Sequence, residues 1–252
     1  MLQECRLKHE AKKVGKIRLK IKQQYKYLLF DLDDTLMDFY NSEKNALIQT
    51  MKDMSIKITS SDHQKYREIS QLLWEKFEKG LINSASLQRK RFELFAEYLH
   101  IDIAKAPLIN ERYVRNLSHQ VIMQSGALEM VQKLKRWYKI AVITNGLYKV
   151  QRERLKRSGL QQMLDGVFIS QEMGVRKPCK EFFMMVMDAF YDHDRDKYLI
   201  IGDSITADIS GGINAGMDTC WYNPTHKKVQ DIEFSATYNI DGFDDLMALL
   251  LG

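Results

Sequence analysis

The sequence contains little cysteine and little proline. Three cysteines, Cys5, Cys179 and Cys220, and three prolines occur in 252 residues. Because the cysteines are odd in number and widely separated, they form neither a CxxC metal-binding pattern nor a disulfide framework. This cysteine usage indicates a reducing compartment, and we expect a cytoplasmic protein.

Long apolar segments are also missing. A membrane-spanning helix needs about 20 mostly apolar residues, and no such run occurs. The amino terminus has no apolar stretch followed by a small-residue cleavage site, so we expect no secretory signal. With 45% hydrophobic and 28% charged residues, the composition is typical of a globular protein that buries a substantial core.

Positive charge is concentrated at the amino terminus. The net charge is +5, but the first 26 residues hold nine Lys or Arg against two Glu, so the rest of the chain is slightly acidic. We interpret residues 1–24 as a disordered basic tail, because charge runs of this kind are usually solvated. The basic balance is therefore no evidence that the folded part binds a nucleic acid polymer or a membrane.

The remaining residues show two kinds of pattern. An apolar run at 25–31 predicts a buried strand, and 41–123 contains only helical patterns. Beyond residue 126, predicted helices alternate with predicted strands at 140–144, 167–170, 198–202 and 219–222. Such alternation predicts an α/β fold, a Rossmann-like three-layer core with a parallel sheet. We assign the core to 25–38 and 125–252, with an inserted all-helical cap at 39–124.

Carboxylates directly follow the first predicted strand. Asp31 and Asp33 stand at alternate positions in this segment, and Thr35 comes two residues later. Neighbouring buried carboxylates repel each other and each needs a compensating partner. A magnesium ion suits such a pair, since it prefers oxygen ligands.

Further motifs stand at the ends of later predicted strands or in the loops beyond them: Thr144-Asn145-Gly146, Lys177-Pro178, and Gly202-Asp203 followed by Asp208. Taken alone, each motif also has an ordinary interpretation, because Asn-Gly commonly forms a turn and a lysine before proline usually lies in a surface loop. Their shared position at the ends of predicted strands is better evidence for a functional site, since α/β sheets bind ligands at the carboxyl ends of their strands.

Together these motifs resemble the four signatures of the haloacid dehalogenase (HAD) superfamily, in the right order. Asp31, Asp33 and Thr35 match DxDx(T/V), and the later motifs match the Thr or Ser, the Lys and the GDxxxxD pattern of this family. The match covers about 25–250, and the insertion after the first motif resembles the helical-cap subclass (subfamily I). The resemblance implies a magnesium-dependent phosphomonoester hydrolase that forms an aspartyl phosphate.

The resemblance also implies a role for each carboxylate. Asp31 would attack phosphorus, and Asp33 would act as general acid for the leaving alcohol and then as general base for water. Magnesium would be held by the side chains of Asp31 and Asp203 and by the backbone carbonyl of Asp33. Asp208 would anchor Lys177 or a magnesium-bound water.

Two residues would act on the phosphoryl group by the same resemblance. Thr144, together with the backbone amide of Asn145, would hydrogen-bond the transferring group. Lys177 would add a positive charge beside it.

The substrate class rests on a narrower resemblance. Asp34, where many relatives have Gly, and the segment 215–224 resemble the pyrimidine 5′-nucleotidases of this family. The expected partner is thus a small phosphorylated metabolite, a nucleoside monophosphate, and we expect a monomer or homodimer. The alternatives are a phosphatase of a sugar phosphate, phosphoglycolate or FMN, a phosphomutase, and a degenerate family member that only binds. Asp33 disfavours a dehalogenase, which lacks this second acid.

Specificity residues are expected in the cap. Arg91 is a candidate substrate contact, and Phe39 is a candidate for the pocket wall or the hinge of the cap. One helical stripe contains Leu87, Leu94, Phe95 and Tyr98, and such stripes are usually core.

Overall fold

The computed structural model describes residues 24–227 and 235–252. Its strands are β1 (Tyr27–Phe30), β2 (Lys139–Thr144), β3 (Gly166–Ile169), β4 (Tyr198–Gly202), β5 (Asp218–Tyr222) and β6 (Tyr238–Ile240). They form one parallel sheet in the order β3-β2-β1-β4-β5-β6. The predicted Rossmann-like α/β core is confirmed, whereas the predicted tail lies outside the described residues except for Gln24.

Helices cover both faces of the sheet and form the insertion. The insertion contains α1 (Phe39–Asp53), α2 (Ser60–Glu78), α3 (Ser84–Tyr98) and α4 (Ala106–Ser118). The core contains α5 (Ala127–Leu134), α6 (Tyr148–Ser158), α7 (Ser170–Met173), α8 (Lys180–Phe190), α9 (Ser210–Ala215) and α10 (Phe243–Leu251). Within the described ranges, every helix is too short or too polar to cross a lipid bilayer.

The central strand β1 explains the apolar run in the sequence. All four of its residues are buried, because β2 and β4 flank it and helices pack on both faces. Leu28 and Phe30 join one apolar cluster with α5 and α10, whereas Tyr27 and Leu29 join another with α8. Phe30 lies opposite Val142 of β2 and Ile201 of β4. The polar residues that follow these three strands therefore emerge at one edge.

Two linkers connect the helical insertion to the core, and they run side by side. The Asp38 amide donates to the Ile122 carbonyl at 2.8 Å, and the Gln124 amide donates to the Leu36 carbonyl at 3.0 Å. The predicted boundaries at 39 and 124 fall at these linkers. The insertion has its own apolar cluster, drawn from α1 to α4 with Val150 of α6.

Asp34 adopts a backbone conformation that usually favours glycine. Its φ of 58° lies in the left-handed region, which Asp tolerates better than most residues other than Gly. Its Oδ1 accepts hydrogen bonds from the amides of Phe39 at 3.0 Å and Tyr40 at 3.1 Å. The side chain thereby satisfies free amides at the start of α1, which glycine could not do.

Several element boundaries differ from the sequence-based expectation. Within 41–123, where the sequence shows only helical patterns, the last helix ends at Ser118, because the following residues form the second linker. The helix expected between the strands at 198–202 and 219–222 is a π-helical turn, Ile205–Ile209, followed by α9. Strand β6 was not predicted, since three residues are too few to show an apolar alternation.

The buried face of α3 also differs from the predicted stripe. Leu87 and Phe95 are buried as predicted, but Leu94 and Tyr98 are 39% and 38% exposed. Phe92, which the stripe left out, is fully buried because α3 packs between α2 and α4. Because α3 contacts two helices, its buried face is wider than a single stripe and is centred on different residues.

This packing generates a stability prediction. Phe92→Ala removes a fully buried ring from the insertion and should lower the free energy of unfolding by about 3–5 kcal/mol. Leu94→Ala, on the exposed side of the same helix, should cost less than about 1 kcal/mol. Urea denaturation followed by circular dichroism measures both. Equal losses in the two variants would contradict the described packing of α3.

Candidate active site

Lys177 connects the carboxylates at the carboxyl edge of the sheet. Its Nζ donates to Asp31 Oδ1 at 2.6 Å, to Asp208 Oδ1 at 2.6 Å and to the Ile143 carbonyl at 2.9 Å. A lysine ammonium has three N–H donors, so all of them are used by the protein itself. Lys177 is buried, and these three bonds compensate for the loss of water around its charge.

Burial makes the largest single contribution to the pKa shifts of Asp31 and Lys177. Burial raises the pKa of Asp31 well above its ordinary value, although the charge of Lys177 opposes the shift. Burial alone would lower the pKa of Lys177, but the nearby charges of Asp208 and Asp31 outweigh it, and the net pKa is raised. The two neighbouring carboxylates therefore favour the charged form of Lys177.

Asp203 adds a third carboxylate to the same place. Oxygens of Asp31, Asp203 and Asp208 lie within 4.8 Å of one another. Burial and then the charge of Asp208 raise the pKa of Asp203 to about 7. Lys177 and the more distant Lys227, 3.8 Å from Asp203, supply too little positive charge for three carboxylates. A cluster of hard oxygen donors with excess negative charge fits a divalent cation such as Mg²⁺.

The loop after β4 requires Gly202 because Asp208 folds back against it. A Cβ at Gly202 would lie 2.2 Å from Asp208 Oδ2, closer than atoms can approach. Asp208 Oδ2 accepts from the Ser204 amide at 3.1 Å, while Oδ1 accepts from Lys177. Both oxygens of Asp208 thus accept from protein donors, and Asp31 and Asp203 lie beside them as further carboxylates that could hold a metal.

Thr144 and Asn145 follow β2, next to this cluster. Asn145 brackets the backbone of Lys177, donating to its carbonyl at 2.9 Å and accepting from its amide at 3.1 Å. Thr144 Oγ1 accepts from the Gly146 amide at 3.0 Å and from Gln151 Nε2 at 2.9 Å. Both lone pairs of this hydroxyl are in use, so its proton is available for a bound anion.

The sequence analysis missed two residues that contact the site. Gln151 and Arg154, both in α6, hold the carboxylate of Asp33. Their side chains are buried, although α6 is a strongly polar helix whose apolar pattern is weak. The only signal in the sequence is their spacing of three residues, which places them on the same face as Val150 and Leu155.

A cavity of about 1040 Å³ connects the core edge with the helical insertion. Asp34 and Asp203 line it on the core side, and Tyr40, Glu43 and Trp74 line it on the side of the insertion. Ser70 donates to Glu43 at 3.3 Å, and burial raises the pKa of Glu43 to about 7 against the opposing charge of Arg91. Carboxylates thus line the cavity on both sides, and aromatic side chains, Trp74 among them, line it on the side of the insertion.

The two predicted specificity residues have different positions. Phe39 lines the cavity at the start of α1. Arg91 is buried in the insertion, with its guanidinium 4.7 Å from the ring centroid of Tyr113, and it is not among the described residues that line the cavity. Its helix turns Arg91 toward α4, and contact of Arg91 with a substrate stays a prediction.

The chain is similar to proteins of known family. The family model of haloacid dehalogenase-like hydrolases matches residues 28–222. The chain is 34% identical to the pyrimidine 5′-nucleotidase YjjG of Escherichia coli, with 90% of this chain and 98% of YjjG covered. It is 35% identical to the pyrimidine 5′-nucleotidase PynA of Streptococcus pneumoniae, with 90% of this chain and 95% of PynA covered.

A solved structure agrees with the fold described above. The magnesium-bound HAD-hydrolase YfnB of Bacillus subtilis superposes with a TM-score of 0.85 at 35% identity, covering 90% of this chain and 99% of that protein. The match spans the parallel sheet and the inserted helices, and the motif residues Asp31, Thr144, Lys177 and Asp203 all fall in the part covered by the family model. The resemblance stated from the motifs is confirmed: the chain belongs to the haloacid dehalogenase-like hydrolases.

Proposed function

We propose that the chain hydrolyses phosphate monoesters through an aspartyl phosphate on Asp31 and prefers pyrimidine nucleoside 5′-monophosphates. The observation that carries this proposal is the group formed by Asp31, Asp33, Thr144, Lys177 and Asp203 at one edge of the sheet. A scaffold that only binds needs no such group, and a dehalogenase needs no second acid at Asp33. The names of YjjG and PynA support the substrate class.

Asp31 is the nucleophile in this mechanism. Lys177 holds its Oδ1 at 2.6 Å, which orients the carboxylate and leaves Oδ2 to attack phosphorus. The charge of Lys177 also favours the ionised carboxylate against the effect of burial. Because Lys177 has no N–H to spare, it acts on the phosphoryl group by its charge rather than by a hydrogen bond.

The phosphoryl oxygens meet donors from the loop after β2. The Thr144 hydroxyl donates its free proton, and the backbone amide of Asn145 lies in the same loop. A magnesium ion held by Asp31, Asp203 and the carbonyl of Asp33 would supply further positive charge against the phosphoryl oxygens. The magnesium in the YfnB structure supports this cofactor.

Asp33 handles the proton in both halves of the reaction. In the first half, its proton passes to the leaving oxygen as the bond from phosphorus to that oxygen breaks. In the second half, its carboxylate takes a proton from the water that attacks phosphorus, and Asp31 is released. The proton gained in the second half is the one donated in the next turnover.

Aromatic side chains in this cavity offer stacking surfaces for a nucleobase. Trp74, Phe39 and Tyr40 line it, and stacking on such rings contributes about 1–3 kcal/mol for each base. A nucleoside monophosphate with its phosphate at the core edge would bring its flat base toward these rings. Cysteine usage supports action in the cytoplasm.

Removal of the nucleophile tests the covalent mechanism. Asp31→Asn should lower phosphate release by about three orders of magnitude or more, since the amide cannot attack phosphorus. The circular dichroism spectrum should match that of the wild type. Substantial turnover by this variant would exclude Asp31 as the nucleophile.

Metal binding is tested without relying on activity alone. Magnesium should raise the melting temperature of the wild type by a few degrees, because a ligand of the folded state stabilises it. The shift should disappear in Asp203→Asn and persist in Asp244→Asn, an acid in the first turn of α10. A chelator should stop turnover and added magnesium should restore it. Equal shifts in the wild type and in both variants would show that Asp203 does not bind the metal.

Substrate preference is tested by phosphate release from dUMP, dTMP, purine nucleotides, sugar phosphates, phosphoglycolate and FMN. We expect the highest kcat/KM for the pyrimidine nucleotides. Trp74→Ala should raise KM for dUMP about tenfold, because a stacking surface is lost, and Trp74→Phe should restore most of it. A preference for another ester would replace the substrate and keep the mechanism; transfer to a sugar would indicate a phosphomutase, and no turnover at all would favour a binding role.

A further inference from the structure

Arg154 is a fully buried guanidinium in the helix that follows β2. Its side chain has no exposed surface, and Gln151, one turn earlier in α6, is also buried. Burying a charged side chain is costly unless its donors are paired, so such a residue needs specific partners. The partners of Arg154 and Gln151 lie in the proposed catalytic group.

Both oxygens of the Asp33 carboxylate are held by α6. Arg154 Nη1 forms an ion pair with Asp33 Oδ1, and Gln151 Nε2 donates to Asp33 Oδ2 at 2.6 Å. Each carboxylate oxygen has two lone pairs, so each keeps one for a substrate atom or water. The carboxylate is therefore fixed in orientation without being blocked.

The amide of Gln151 has a defined orientation in this network. Its Oε1 accepts from Arg154 Nη1 at 3.0 Å, and its Nε2 donates to Asp33 and to Thr144 Oγ1. If the amide were reversed, its oxygen would face the Asp33 carboxylate and its N–H groups would face the Arg154 guanidinium, and both contacts would be repulsive. Gln151 thus links the proposed acid and base, Asp33, to Thr144, whose hydroxyl proton stays available for a phosphoryl oxygen.

The surrounding structure holds this network in place. Arg154 Nε donates to the Gln120 carbonyl in the second linker at 3.1 Å, and its guanidinium lies 5.7 Å from the ring centroid of Phe39 after the first linker. Gly146 leaves space for the Gln151 amide, since a Cβ there would lie 2.1 Å from Nε2. The glycine of the Thr-Asn-Gly motif is therefore explained by Gln151.

We infer that Gln151 and Arg154 are positioning residues that hold Asp33 for proton transfer and leave the Thr144 hydroxyl to donate to the phosphoryl group. The inference rests on the proposed function, because it assigns Asp33 the proton transfer of both half-reactions. Breakdown of the aspartyl phosphate depends most on this placement, because the attacking water must lose its proton to Asp33. Formation of the aspartyl phosphate depends on the placement of Asp33 only when the leaving group is a poor one.

The test compares two substrates in Gln151→Leu, which keeps the volume of the side chain and removes its polar atoms. With dUMP, kcat should fall on the order of 10- to 100-fold, because an alkoxide leaving group needs the acid. With p-nitrophenyl phosphate, whose leaving group needs little protonation, the first turnover should remain fast and later ones slow. Stopped-flow absorbance should therefore show a stoichiometric burst of nitrophenolate followed by slow turnover.

Further variants separate positioning from a general loss of structure. Gly146→Ala, which removes no polar group but displaces the Gln151 amide, should give the same burst. Arg154→Lys keeps the positive charge but has fewer N–H donors. The rate of its slow phase should therefore lie between those of the wild type and Gln151→Leu. Arg157→Met breaks an exposed ion pair with Glu153 on the same helix and should leave both phases within about twofold of wild type.

The outcomes are distinguishable from failure of the proposed function. If the wild type and all variants release no phosphate from any ester, the proposed function itself fails. If the wild type is active and Gln151→Leu retains its kcat on dUMP, or loses both the burst and the later turnover on p-nitrophenyl phosphate, the positioning inference is wrong. A fast burst with a slowed second phase in Gln151→Leu and Gly146→Ala supports it.

Discussion

The bridge that Lys177 makes between Asp31 and Asp208 is the interaction on which the site depends. One ammonium, with its three donors used by protein oxygens, allows two buried carboxylates to lie close together at the end of the sheet. Its position is set in turn by Asn145, which brackets its backbone, and by the close approach of Asp208 to Gly202. Residues from four separated segments thus form one connected group.

The central part of this arrangement was readable from the sequence. The strand ends of β1, β2 and β4 are adjacent because parallel strands with apolar residues on both faces pack side by side, and their motifs follow directly. The apolar runs predicted the strands, and the order of the motifs predicted the family. Strand β6 and the end of the helical stretch at Ser118 were not predicted, because short elements and helix ends show little periodicity.

Other features depend on tertiary contacts that a single sequence does not display. Gln151 and Arg154 look like ordinary residues of a polar helix, and only the fold brings them to Asp33. The buried face of α3 depends on two neighbouring helices, so a single-stripe pattern assigned Leu94 to the core and missed Phe92. In each case the partners come from distant parts of the chain.

The paired linkers of the insertion have a consequence for how such proteins diversify. Because the Asp38 amide meets the Ile122 carbonyl and the Gln124 amide meets the Leu36 carbonyl, the insertion leaves and rejoins the core at a single point. The helical insertion is thus a long segment between two strands of the sheet, and hydrogen bonds between its linkers hold its two ends side by side. Its length and sequence can therefore be exchanged at little cost to the geometry of the carboxylates, so new specificity can be acquired without rebuilding the chemistry.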